Sequence, residues 1–247
     1  MTTLVTGGHG ALGREFARVL PDALAPRSTE LDVRDGQAVD AYVHDNHVER
    51  VIHCAALTSV RYCEDHPVDT LAVNVEGTRN LCQALTRHAS SPSVVFISTA
   101  CVFAGDDPAA AYSENEAPRP KNFYAQSKLM AECIVRGWAA GSTDGTALVV
   151  RTNFAERGEW KYPVAFTDRF GTYLYPDLVA DRVARLVQDG VTGVVHVCGD
   201  RRLSMYEFAR LDDPRVGQTT LADYQGPPVT VNMSLRSVRI APVPLLG

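Results

Sequence analysis

The chain opens Met1-Thr2-Thr3-Leu4-Val5-Thr6-Gly7-Gly8-His9-Gly10-Ala11-Leu12-Gly13, and the reading of this stretch governs the rest. Thr3 to Thr6 reads as a short apolar strand. After it, Ala11, Leu12, Phe16, Val19 and Leu20 recur at helical spacing until Pro21 stops them. Between strand and helix the glycines are spaced Gly-x-x-Gly-x-x-Gly, at Gly7, Gly10 and Gly13. Gly7 permits a tight turn with dihedrals that other residues resist. Gly10 lets a diphosphate approach the backbone, and Gly13 lets the helix pack on the strand. The first helical turn, with Ala11 and Leu12, offers unpaired N–H groups and a positive dipole end to the phosphates. His9 sits inside the turn as a solvent-facing residue that brushes the ligand. Strand, glycine turn and helix in this order predict a dinucleotide site.

The pattern continues outward. Ala23 to Ala25 reads as a short second strand, Asp35 to Asn46 as a helix and Val51 to Ala56 as a buried strand. Pro67 to Arg87 reads as one long helix whose apolar face includes Leu71, Val75, Leu81 and Leu85. Val94 to Ser98 is a strand, Asn122 to Trp138 a helix and Ala147 to Arg151 a strand. This alternation predicts an α/β fold, a Rossmann-type doubly wound parallel sheet with helices on both faces. Ligands in such sheets lie beyond the carboxyl ends of the strands, and Gly7, Ala55, Thr99 and Thr152 all fall at those ends. Beyond Arg151 the alternation weakens. A helix over Asp177 to Gln188, a strand over Gly193 to Val197 and a short helix over Met205 to Arg210 precede a proline-rich tail. The division expected is a dinucleotide domain over 1–155 and a small C-terminal substrate lobe over 156–247, interleaved with it and not folding alone.

Composition narrows the function. A length of 247 residues can bury a large core without staples, and 45% apolar with 21% charged residues is ordinary for a globular chain. The net charge of −5, with no run of Lys or Arg, argues against a nucleic-acid partner. No apolar stretch approaches the roughly 20 residues that span a bilayer, so no membrane partner is expected. The N-terminus enters a strand at once and has no basic leader segment. Cys54, Cys63, Cys82, Cys101, Cys133 and Cys198 are scattered, with no zinc spacing, and read as reduced thiols of a cytoplasmic protein that holds no metal.

Two further groups carry chemistry. Tyr124-Ala125-Gln126-Ser127-Lys128 places a phenol and an ammonium one helical turn apart on one face, and Thr99 ends an apolar strand. Tyr124 is the expected general acid. A nearby ammonium and an oxidised nicotinamide would lower its pKa from the usual value of about 10. Thr99 would hydrogen-bond a substrate carbonyl or the developing alkoxide. Arg27, after the second strand, could pair with a ribose 2′-phosphate, which leans the cofactor toward NADP, with NAD open.

In order along the chain, several segments resemble the extended short-chain dehydrogenase/reductases, and within them the dTDP-4-dehydrorhamnose reductase family. Ala55-Ala56-Leu57-Thr58-Ser59-Val60 is similar to that family's Ala-Ala-x-Thr-x-Val, and Val73-Asn74 continues the likeness. Ser98-Thr99-Ala100-Cys101-Val102-Phe103-Ala104-Gly105 resembles Ser-Thr-Asp-Tyr-Val-Phe-x-Gly, with Ala100 and Cys101 in place of Asp and Tyr. Glu116-Ala117-Pro118 and Arg151-Thr152 also match, and Pro228 to Leu235 more loosely. The resemblance implies a Rossmann domain with a sugar-nucleotide lobe that reduces a 4-keto group with NAD(P)H. It implies that Thr99 polarises the carbonyl, Tyr124 donates the proton and Lys128 holds the ribose. Ala55, Ala56 and Thr58 would line the cofactor and Asp32 and Val33 would meet the adenine, with Asn74 and Thr152 also in that site. It also implies a homodimer paired through the helices over Pro67–Arg87 and Asn122–Trp138. A non-catalytic dinucleotide- or nucleotide-sugar-binding regulatory subunit is the alternative, since one branch of the family works that way. Epimerisation is a third reading, because Cys101 occupies the position of the acid/base Cys of GDP-fucose synthases. Those enzymes also need a His, and Thr152 to Tyr162 contains none.

Overall fold

A computed structural model describes residues 1–246. Its elements run β1 (Thr2–Thr6), α1 (Ala11–Val19), α2 (Gly36–Asp45), β2 (Val48–His53), α3 (Val60–Asp65), α4 (Pro67–Leu71), α5 (Gly77–His88), β3 (Ser93–Thr99), α6 (Phe123–Gly141), β4 (Thr146–Thr152), β5 (Val164–Phe166), β6 (Phe170–Gly171), α7 (Pro176–Gln188), β7 (Gly193–Val197), β8 (Leu203–Ser204), α8 (Met205–Ala209), β9 (Gly217–Thr219) and β10 (Asn232–Met233). The central sheet has the order β1-β2-β3-β4-β7, and every pairing in it is parallel.

Alternating side chains feed two cores. Val5, Ile52, Val95, Leu148 and Val195 face α1 and α7, where Phe16 and Val183 meet them. Their neighbours Leu4, Val51, Val94 and Val149 face α2, α5 and α6, where Val43, Leu85 and Val135 meet them. Consecutive strand residues point to opposite faces, so a continuous apolar run is what a sheet covered on both sides requires. Full burial of each such side chain contributes about 1.5–3 kcal/mol.

Three expectations change. The second strand shrinks to a bridge: Leu24 pairs with Leu4, donating to Thr3 O (2.9 Å) and accepting from Val5 N (2.8 Å). Pro26 then leads the chain away. The single helix over Pro67–Arg87 is instead α4, a π-helical turn over Ala72–Glu76, and α5. An inserted residue of this kind leaves the apolar periodicity almost intact, which hides it from a pattern reading. Finally, α3 arises over a stretch in which no helix is expected; Ser59 caps it by accepting from Tyr62 N.

The order of connections positions the site. From β1 the chain crosses first to Leu24 on one edge of β1, then back to β2 on the other edge. The carboxyl ends of β1 and β2 therefore flank a switch in winding direction, where doubly wound sheets open a crevice. In the second half, α7 and β7 return to the main sheet. The small sheets β10-β6-β8 and β5-β9, with α8, form the remaining C-terminal structure. Met233 of β10 reaches Cys101, Sγ to Sδ 3.5 Å.

Candidate active site

Gly7 ends β1 at φ +67°, and a Cβ there would lie 2.8 Å from the amide nitrogen of Ala55. A Cβ on Gly13 would overlap the Gly7 carbonyl oxygen and lie 2.7 Å from the Gly8 Cα. The turn is thus pressed between the end of β2 and the start of α1, and only glycine fits at both points. Gly10 caps α1 without a side chain, so the first N–H groups of α1 face outward. Beside them opens a cavity of about 640 Å³. Gly7 and Gly10 line one end, Ala55 and Ala56 its floor, and Asp32 and Val33 the far end. This size lies within the usual range for small-molecule sites.

A buried polar ladder supports that floor. His53, 1% exposed, places Nδ1 2.6 Å from the Thr6 hydroxyl and Nε2 3.1 Å from the Thr78 hydroxyl. Thr78 donates its proton to the Asn74 carbonyl (2.8 Å), so it accepts from Nε2–H, and Thr6 donates to Nδ1. This assigns one neutral tautomer. Burial, with the Lys128 cation nearby, pushes the imidazole down to about 3. Asn74 accepts from Leu57 N (2.8 Å) and donates to Leu57 O (3.0 Å) and to Ser127 Oγ (2.9 Å). Ser127 in turn donates to Tyr124 O (2.7 Å). Both amide hydrogens of Asn74 are committed inside the protein, so it would act on a ligand through Leu57. The π-helical turn, absent from the sequence reading, is what carries Asn74 into this position.

Tyr124 stands on the first turn of α6. Asn122 caps that helix, accepting from Ala125 N (2.9 Å) and donating to Pro228 O (3.0 Å). Thr99 ends β3, and its Oγ1 accepts from Cys101 N (3.1 Å), leaving the hydroxyl proton free to donate. The Tyr124 phenol is pushed above its ordinary range by burial, with the Cys101 thiol adding to the rise and Thr99 opposing it. The downward pull expected from Lys128 is not among the influences on the phenol, and desolvation sets the direction. Lys128, 3% exposed, holds Nζ 4.1 Å from the centroid of the Phe96 ring. Burial lowers it to about 8, opposed by Cys54 and by the Glu132 carboxylate. Thr152 lies next to Thr99 in the β3–β4 register; its Oγ1 is buried without a partner, the condition that a bound molecule relieves.

Other candidates lie elsewhere. Ala11 is half-buried at the start of α1, while the Leu12 side chain is core and leaves only its backbone for a ligand. His9 is exposed in the turn. Thr58 is exposed and outside the cavity lining. Arg27 is also exposed and outside it; its backbone N–H donates to Glu30 (2.6 Å). The arginine that lines the cavity is Arg34, bound to Asp32 at 2.6 Å. Tyr62 and Asp69 line it too, joined by a hydrogen bond of 3.1 Å. They come from α3 and α4, and no motif marks them. On the lobe side, Met233 Sδ receives Arg169 Nη2 (3.4 Å) and Asn153 Nδ2 (3.9 Å) beside Cys101, and the buried Tyr173 hydroxyl has no partner.

A doubly wound sheet, a glycine turn at its switch point, Thr99 at the end of β3 and Tyr124 and Lys128 on the following α6 define a Rossmann-type fold with a candidate dinucleotide site. The family model described as RmlD substrate binding domain matches residues 1–213, and the chain belongs to that family. It is 29% identical over 230 residues to a dTDP-4-dehydrorhamnose reductase of Mycolicibacterium smegmatis, covering 87% of this chain and 69% of that protein. It is 28% identical over 250 residues to a probable dTDP-4,6-dihydroxy-2-methyloxan-3-one 4-ketoreductase of Streptomyces antibioticus, covering 92% and 83%. Among solved structures, a dTDP-4-dehydrorhamnose reductase of Bacillus anthracis in complex with NADP superposes with TM-score 0.87 at 22% identity, covering 99% of this chain and 96% of that one. At that identity the superposition establishes the fold.

Proposed function

We propose that this protein is an NADPH-dependent reductase of a keto group on a deoxysugar nucleotide, a 4-keto-6-deoxysugar in particular. One observation carries the reading: Thr99 ends β3 and Tyr124 and Lys128 lie on α6, while the neighbouring carboxyl ends of β1 and β2 carry the Gly7 turn and a cavity lined by Gly7, Gly10, Cys54 and Ala55. The names of the sequence relatives support the reaction, and the NADP of the structural neighbour supports NADP as the cofactor. The residues fit a dinucleotide. The glycine turn and the N–H groups of α1 would take its diphosphate, Ala55 and Ala56 its middle, and Asp32 and Val33 its adenosine end. Lys128 and Thr152 would meet the nicotinamide half.

The reduced nicotinamide supplies the hydride. The protein does the rest. Thr99 donates its free hydroxyl proton to the substrate carbonyl oxygen and orients it. Tyr124, kept protonated by its buried setting, gives its phenolic proton to that oxygen as negative charge develops there. Lys128 places a cation under the site and stabilises the phenolate left behind. Cys101, Met233 and the neighbouring lobe residues exclude water. A homodimer through α5 and α6, and a reducing cytoplasmic setting for the six free cysteines, belong to the same reading. No helix among the described residues is long and apolar enough to cross a membrane.

The test is NADPH oxidation, followed by absorbance, with a panel of dTDP-4-keto-6-deoxysugars. Tyr124→Phe should lower kcat by about 10²–10⁴-fold with NADPH binding kept. Unchanged turnover in that variant would remove Tyr124 from the chemistry. Tight dinucleotide binding without turnover on any keto-sugar would replace the reductase with the regulatory binding subunit.

A further inference from the structure

Two residues past Thr99, the Cys101 side chain meets a group of donors that find no good acceptor. Tyr173, between β6 and α7, is 3% exposed, and its hydroxyl has no hydrogen-bond partner among the described residues. Gly171 makes room for that end of the ring: a Cβ there would lie 3.0 Å from Tyr173 Cζ and 2.5 Å from Asn153 Nδ2. The phenol and the Asn153 amide therefore share one wall, just past the end of β4. Beside them, three donors converge on a single sulfur. Met233 Sδ lies 3.5 Å from Cys101 Sγ, 3.4 Å from Arg169 Nη2 and 3.9 Å from Asn153 Nδ2.

A thioether is a weak acceptor, and a buried hydroxyl with no partner is costly. For packing alone, phenylalanine would fill the place of Tyr173 and strand no polar atom. Amide, guanidinium and phenol share one need, an acceptor oxygen, and a bound molecule that brings one relieves all three. Their position ties them to the reacting groups. Cys101 N–H donates to the Thr99 hydroxyl (3.1 Å), and the Cys101 thiol raises the pKa of both Tyr124 and Tyr173, so it neighbours both phenols. Burial keeps Tyr173 protonated, against the opposing pull of Arg169 and Asn153. Arg169 is held in place by its Nε, which donates to Thr230 O (3.0 Å). Met233, in contrast, is unbranched and turns about three side-chain bonds, so it can swing aside.

We infer that Tyr173, with Asn153 and Arg169, binds a hydroxyl of the substrate's sugar ring beside the reacting carbonyl, and that Met233 Sδ holds the place of that oxygen in the free protein. These residues then select a sugar that carries the hydroxyl over its deoxy counterpart. The inference rests on the keto-sugar reading for the identity of the ligand.

The experiment compares a dTDP-4-keto-6-deoxysugar that carries a hydroxyl at carbon 3 with its 3-deoxy counterpart, for the full chain and for Tyr173→Phe. Affinity is read by calorimetric titration in the presence of NADP, which cannot reduce either sugar, and kcat/KM by NADPH oxidation. Wild type should bind and reduce the hydroxylated sugar better. Tyr173→Phe should weaken binding and kcat/KM for that sugar by about 10–100-fold and leave the 3-deoxy sugar unchanged, so that the preference collapses. Its melting temperature should match or exceed that of the wild type, because the hydroxyl removed had no partner. Equal weakening of both sugars, together with a lowered melting temperature, would make the hydroxyl structural and overturn the inference. So would a preference that survives in Tyr173→Phe, or a wild type that binds the two sugars equally. A binding preference that Tyr173→Phe abolishes, without turnover of either sugar by the wild type, would uphold the subsite and overturn the reductase reading instead.

Discussion

Glu132 and Arg151 form a bidentate ion pair where water does not reach: Arg151 Nε and Nη2 lie 3.0 and 2.7 Å from Oε1 and Oε2, and the side chains are 0% and 3% exposed. Ser98 adds a third hydrogen bond to Oε1 at 2.5 Å. The pair joins α6, one turn past Lys128, to β4 just before Thr152, and Ser98 precedes Thr99. One buried carboxylate therefore fixes the relative placement of the groups assigned to the chemistry.

Removing one partner should be expensive. Glu132→Gln leaves a buried, charged guanidinium without its counter-ion, and urea denaturation should show a loss of about 3–5 kcal/mol. Replacing both, as in Glu132→Leu with Arg151→Met, should recover most of that stability, because a well-packed apolar pair also avoids the desolvation cost. Equal losses in the single and double variants would contradict this account.

Acid should unfold the protein through His53. Its folded pKa of about 3 lies below the unfolded value of about 6.5, so the unfolded chain binds the proton first. The stability tied to neutral His53 is complete above about pH 6.5. It falls by about 1.4 kcal/mol per pH unit as pH drops toward 3. His196 is also lowered by burial and adds a slope of the same sign. Urea midpoints between pH 7 and pH 5 should show this slope, and His53→Gln should flatten it in part. A slope identical in that variant would mean that the imidazole is not held neutral.

Alkaline pH should slow turnover before it affects folding. Lys128 sits near 8 in the free protein, facing Cys54, His53 and Glu132. If its ammonium stabilises the Tyr124 phenolate, kcat/KM, which reports the free enzyme, should fall as pH rises through about 8. Lys128→Met should be slow and lack that inflection. An unaltered inflection in Lys128→Met would assign it to another group.

Gly13→Ala should separate the strand from the helix. The new methyl group would overlap the Gly7 carbonyl and crowd Gly8, whose Cα lies 2.7 Å from the ideal Cβ position. Overpacking of this kind costs about 1–3 kcal/mol. Because the strain falls on the diphosphate turn, NADPH affinity should drop together with the melting temperature. A normal Kd at a lowered melting temperature would show that the turn tolerates the shift.

Strand, glycine turn and helix at the N-terminus were legible because each rests on local rules. Alternation of strands with helices made the parallel sheet legible for the same reason, and β7 was read to the residue. The split of the Pro67–Arg87 helix was not legible. A π-helical insertion keeps the apolar face almost in register, so neither Leu71 nor Leu81 reveals it. Tyr62, Asp69 and Arg34 were equally hidden, because side chains from α3, α4 and the loop after Leu24 meet only once the sheet is wound.

By itself, then, the order of residues determined the sheet and the turn and singled out Thr99, Tyr124 and Lys128 as candidates, since periodicity and spacing are properties of neighbours in the chain. Tertiary structure alone decided the direction in which the Tyr124 and Lys128 pKa values move, the tautomer of His53 and the choice of Arg34 over Arg27 in the cavity wall. Those depend on burial and on contacts between segments distant in sequence, and neither desolvation nor a long-range hydrogen bond leaves a mark on a linear pattern.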